Sequence, residues 1–112
     1  MRYERGSVVV AADPFGNTPR RPYLILSDET HPFPGRQYIA VGITTTEYDY
    51  SLALADAFVD GELTRESFVS PWAVVSLRGS QIGRAVAKLS DSLTDKATQR
   101  MAAFAGYGSS DR

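Results

Sequence analysis

Hydrophobic and polar positions follow two periods along this chain, and the change of period comes near its end. "GSVVVAADP" (6–14) is β-branched and closes on a proline turn, which predicts a strand over 7–12. "YLILS" predicts a strand over 23–27 and "QYIAVGIT" another over 37–44. "YSLALADAFVDG" (50–61) alternates in part and meets a turn signal at Asp60-Gly61. "SFVSPWAVVSL" predicts a strand over 67–77 that Pro71 must break, bulge or push to an edge. "IGRAVAKLS" (82–90) closes the series. Beyond it, Leu93, Ala97, Met101 and Phe104 recur one helical turn apart, which predicts an amphipathic helix over 92–105. Ser92 and Asp95 have the spacing of a capping box, and Gly106 supplies the stop.

About six short strands followed by one helix define a mainly β protein: a small barrel carrying a C-terminal helix, in a single domain spanning 1–112. Runs such as "VVVAA" and "YLIL" are apolar on both strand faces. Closure of the barrel, the helix or a second subunit must cover them. A two-fold dimer is therefore expected.

Composition narrows the picture by removing possibilities. Cysteine is absent, which excludes disulfides, thiolate nucleophiles and the usual structural zinc sites. A lone histidine, His31, excludes an acid–base pair of two imidazoles within one chain; in "THPFPG" it reads as a solvated loop residue. Neither a Walker loop nor a G-x-G-x-x-G fingerprint is present, no metal-ligand cluster can be drawn, and no cofactor is called for. There is no signal-peptide pattern and no apolar stretch of the ~20 residues that a membrane span needs, so a soluble, cytoplasmic protein is expected. Net charge is −1, so any site for a polyanion must be local. The bases favour such a site: all but Lys88 and Lys96 are arginine, the better bidentate partner for phosphate.

Two stretches carry candidate chemistry. In "TPRRPYLILSD" (18–28), Arg20 and Arg21 stand directly before a proline that holds Arg21 in extended geometry. They are either a surface pair or a positioned phosphate site. In "GITTTEYDY" (42–50), Thr44, Thr45 and Thr46 put hydroxyls on both faces of a strand end, either as ordinary strand residues or as donors to a ligand. Trp72 reads as a core or subunit contact, with base stacking as the alternative.

Taken in order, these elements resemble a family. "RG-x-V" (Arg5, Gly6, Val8), the closing "DP" (Asp13, Pro14), "RRP-x-L-I-L-S-D", "I-A-V-G-I-T" and the final "IGRAVAKLSDSL" look like the MazF/PemK-type toxins of toxin–antitoxin pairs, over about residues 4–105. The resemblance implies an SH3-like barrel, a homodimer, a cognate antitoxin as partner, and a metal-independent endoribonuclease that cuts single-stranded RNA at short sequences. It implies Arg21 and Thr44 as the catalytic pair, and Arg20, Thr45, Thr46 and Phe15 as substrate-binding residues. Glu47 is a possible proton acceptor from its place in the sequence. The loop before Arg20 is the compact "FGNTP" where the family commonly has "GSEQ-x-G", and Thr46 stands where it has glutamine. Both departures fall where RNA would touch the protein. Two further readings of the same likeness are an RNA-binding barrel that does not cut, and a toxin of this fold that acts by binding a protein such as gyrase.

Overall fold

The first three strands sort their side chains between two cores, which is why runs such as "VVVAA" and "YLIL" show no polar face. The computed structural model describes residues 2–13, 16 and 19–108. Its elements are β1 (Ser7–Ala11), β2 (Arg21–Ile25), β3 (Gln37–Thr44), β4 (Leu52–Ala53), β5 (Phe58–Gly61), β6 (Phe68–Arg78), a 3-10 turn (Gly79–Gln81), β7 (Ile82–Leu89) and α1 (Asp91–Phe104). Successive strand residues point to opposite faces. Val8, Leu24, Val41 and Ile43 accordingly enter one core, together with Leu52, Leu54, Val69, Leu89 and Ala97 of the helix. Val9, Ala11, Tyr23, Ile25, Tyr38 and Ala40 enter the other, with Leu77 and Ile82.

All pairings are antiparallel, in the order β4-β6-β3-β2-β1-β7-β5. The order by itself requires a curled sheet. β4 and β5 are opposite edges, yet only residues 54–57 join them. That link spans at most about 18 Å, whereas the edges of a flat seven-stranded sheet stand about 29 Å apart. The sheet therefore curls into a half-barrel, with α1 laid against it through Leu93, Ala97 and Met101.

Several details depart from the sequence reading. Residues 50–61 form two short strands, because β4 pairs with β6 and β5 with β7, so the sheet has seven strands. Gly61 is no turn residue: it pairs with Ala87 at φ 65°, and a Cβ there would run into the carbonyl of Val86. Pro71 lies in a bulge, since Val41 pairs with Val74 and Gly42 with Ser70, leaving 71–73 outside the register. The helix starts a turn position earlier than the Ser92–Asp95 pattern implies. Ser90 is the N-cap, its Oγ accepting the Leu93 N–H at 3.2 Å. Asp95 instead pairs with Arg5 at 3.0 Å. At the other end, Gly106 (φ 95°) closes a Schellman motif, in which the Tyr107 N–H donates to the Ala102 carbonyl and the Gly106 N–H to the Ala103 carbonyl.

Candidate functional site

Antiparallel register brings the two candidate stretches to one place. β2 and β3 pair Ile25 with Ala40, Leu24 with Val41 and Tyr23 with Gly42. Extending that register by two residues sets Arg21, at the start of β2, opposite Thr44, at the end of β3. The alternation that sends Tyr23 and Ile25 to the second core puts Arg21 on their face, and Tyr38 and Ala40 do the same for Gly42 and Thr44. Arg21 and Thr44 thus share one end and one face of the sheet.

Two neighbours hold the Arg21 guanidinium there. Its Nη2 donates to the Ile43 carbonyl at 3.3 Å. Its carbon lies 5.7 Å from the centre of the Tyr23 ring. Gly42 lies beside it, where a Cβ would stand in van der Waals contact, 3.5 Å from Nη2 and 3.4 Å from the Ala73 Cβ. Thr44 is half-buried, and its Oγ1 accepts the Thr46 N–H at 3.2 Å. This short bond bends the chain out of the strand. A hydroxyl that accepts one bond keeps its own hydrogen to donate, so Thr44 retains a donor beside the arginine's strand end.

The other candidates are arranged differently. Arg20 turns away from Arg21, across β1, and its Nη1 occupies the space where a side chain on Gly83 of β7 would stand. The adjacent arginines therefore serve opposite sides of β2. Thr45, Thr46 and Glu47 are exposed on the turn after β3. Phe15, together with Pro14, lies outside the described residues. His31 sits half-buried in its loop, with Nδ1 accepting the Phe33 N–H at 2.9 Å. Among the described residues no group of His, Asp or Glu side chains is placed to hold a metal ion, and no helix is long and apolar enough to cross a membrane.

Three residues of the site escaped the sequence reading. Tyr23 underlies Arg21. Its phenol is pushed above the ordinary tyrosine range by burial, against the pull of the Arg21 charge and with the added push of the Asp13 carboxylate. Asp13, itself buried, is thereby placed close to the pair. Gly42 is the third, and it did leave a signal: a bare glycine inside an otherwise bulky strand marks a close approach. Nothing in "YLIL" distinguished Tyr23 from a plain core residue.

Trp72 is no core residue. It is 43% exposed and packs edge-to-face on Tyr48 (6.0 Å between ring centres) and on Phe104 (6.1 Å), which in turn meets Tyr50. Phe104, expected to complete the buried stripe of α1, belongs to this surface chain of rings. A cleft of about 340 Å³ opens at the opposite end of the strands from Arg21, beside Tyr3, Arg5, Asp28 and Tyr38.

No family model and no curated protein matches the chain. Solved structures match its fold over nearly its whole length. An endoribonuclease in complex with its cognate antitoxin, from mycobacterial species, superposes with a TM-score of 0.71 at 19% identity, over 94% of this chain and 94% of that one. MazE–MazF from Deinococcus radiodurans gives 0.71 at 18%, over 95% and 97%. The Mycobacterium tuberculosis toxin MazF-mt6 gives 0.67 at 22%, over 87% and 93%. At such identities the likeness is one of architecture, and the class it defines is the small curled β-barrel with a C-terminal helix. Within that class, the chain has the fold of the MazF toxins.

Proposed function

We propose that this protein is a single MazF/PemK-type domain that acts as a toxin endoribonuclease, cutting single-stranded RNA at specific sequences without a metal ion. The observation that supports the proposal is the antiparallel β2–β3 pairing, whose register, extended by two residues, sets Arg21 and Thr44 at one end and on one face, with Arg21 bonded to the Ile43 carbonyl. In this reading the RNA supplies its own nucleophile. The 2′-oxygen attacks the adjacent phosphorus and the bond from phosphorus to the 5′-oxygen breaks, leaving a 2′,3′-cyclic phosphate and a 5′-hydroxyl. Arg21 neutralises the charge that builds on the phosphorane oxygens, the kind of preorganised interaction that contributes most in such sites. The Thr44 hydroxyl holds a phosphate oxygen or the 2′-hydroxyl in line. Guanidinium is too weak a base to take the 2′-proton; Glu47 or water accepts it, and the leaving 5′-oxygen takes a proton from solvent.

Thr45, Thr46 and Phe15 contact the RNA next to the cut, and Arg20 engages its backbone on the other side of β2. The working form is a homodimer, held inactive by a cognate antitoxin in the cytoplasm. The complexed neighbours, one of them with an antitoxin, support this partner. Cleavage by Arg21→Lys and Thr44→Val tests the assignment. Lysine keeps the charge but lacks the planar fork, and valine keeps the shape of threonine without its hydroxyl. Each variant is expected to lose at least about 10²-fold in rate, the scale seen when one preorganised donor is removed. Wild-type rates from both would remove the pair from the mechanism, whereas a wild-type protein that cuts no RNA would favour a toxin of this fold that acts on a protein.

A further inference from the structure

An arginine at a strand end ordinarily samples many rotamers. Arg21 has a fixed floor. Tyr23 lies two residues along β2 on the same face, is 2% exposed, and is locked among Val9, Ala11 and Ile25 of the second core. Its ring lies under the guanidinium carbon at 5.7 Å, while the Ile43 carbonyl ties down Nη2 at 3.3 Å. A ring face attracts a cation through its quadrupole, more strongly where water is excluded. One hydrogen bond and one ring contact together restrict where the guanidinium can stand and leave its other N–H groups available to a ligand.

We propose that Tyr23 is a positioning residue: its buried ring holds the Arg21 guanidinium in the orientation that meets the phosphate, so that the arginine is set before RNA arrives. The inference rests on the reading of Arg21 as the phosphate-binding group. A phenol is neutral at about pH 7 and burial pushes its titration further up, so the floor carries no negative charge that would compete with phosphate for the arginine. Gly42 lies alongside the same guanidinium, where even a Cβ would already be in van der Waals contact with Nη2 at 3.5 Å.

Orientation matters most in the transition state, so loss of the ring lowers kcat more than it raises KM. Tyr23→Leu is expected to reduce kcat between about 10- and 100-fold with KM for RNA nearly unchanged, and Tyr23→Phe, which restores the ring, recovers most of it. A merely structural role would lower the melting temperature and leave the kcat of the folded fraction alone. An activity-independent readout is the Arg21 Nε–H resonance of the full chain by NMR. In the wild type and in Tyr23→Phe it is shifted by the ring current, and in Tyr23→Leu it returns to the position of a solvated arginine. A resonance that does not respond to removal of the ring, or a folded Tyr23→Leu protein with wild-type kcat, overturns the proposal. A wild-type chain that cuts no RNA yet shows the ring-dependent resonance refutes the proposed function and leaves the Tyr23–Arg21 seat standing.

Discussion

Arg5 tests whether the N-terminal Arg-Gly pair fastens the helix to the sheet. Its Nε donates to the Leu26 carbonyl at 3.0 Å, and its Nη2 donates to Thr98 Oγ1 at 3.0 Å and pairs with Asp95 at 3.0 Å. One side chain thus ties the end of β2 to α1. Gly6 beside it (φ 93°) lets the chain pass under the helix, within 3.4 Å of Thr94 Oγ1 for any added Cβ. Hydrogen bonds from a charged donor are worth about 1.5–3 kcal/mol each. Arg5 is a quarter exposed, so solvent competition holds the two to the low end, about 3 kcal/mol together. The Asp95 carboxylate is 61% exposed, and such a pair adds at most about 1 kcal/mol. Arg5→Met, which keeps the stem, should therefore cost about 3–4 kcal/mol. For a domain of this size that lowers the melting temperature by about 10–15 °C. Asp95→Asn should cost at most about 1 kcal/mol, and less in high salt. Thermal melts of the two variants at low and high salt decide the matter. If Asp95→Asn destabilises as much as Arg5→Met, or if Arg5→Met melts with the wild type, the clamp is not what fastens the helix.

Three further outcomes follow from the geometry. Gly42→Val should reduce RNA cleavage by at least about tenfold with an unchanged far-ultraviolet spectrum, because its methyl groups enter the space of the Arg21 guanidinium; wild-type cleavage would show that the arginine needs no such seat. Ser90→Ala should cost about 1 kcal/mol by removing the N-cap, while Ser92→Ala costs almost nothing; melts with the reverse order would return the cap to Ser92. Tyr23 ionises later in the folded chain than in the unfolded one, so the folded state holds more protons between the two pKa values. Its contribution to stability is complete below pH about 10 and is lost as pH rises through the folded value. Alkaline denaturation should therefore be less steep in Tyr23→Phe, and identical profiles would show that the phenol is not buried against its charged neighbours.

Much of this architecture was legible because periodicity reports burial. β3 spans the same residues in the sequence reading and in the structure, since "QYIAVGIT" has strand length and clear borders. The helix was legible from its stripe, but its first turn was not. "LSDSLTD" offers two serines, and local spacing does not choose between them: in the fold Ser90 caps Leu93, while Asp95 pairs with Arg5, far away in sequence. The division of 50–61 was hidden for a related reason: local pattern does not tell which neighbour a strand pairs with, and β4 and β5 take neighbours at opposite edges. The site was legible in part. Arg21 and Thr44 stood out as residue types at strand ends, but the antiparallel register that brings them together, the opposite turn of Arg20 and the ring beneath Arg21 are tertiary facts.

The most direct test of the account is end mapping of a long single-stranded RNA after incubation with the purified protein in excess EDTA. Cuts are expected at a recurring short sequence, unaffected by the chelator, with a 2′,3′-cyclic phosphate on one fragment and a 5′-hydroxyl on the other. Intact RNA, cuts abolished by EDTA, or 5′-phosphate ends would contradict it.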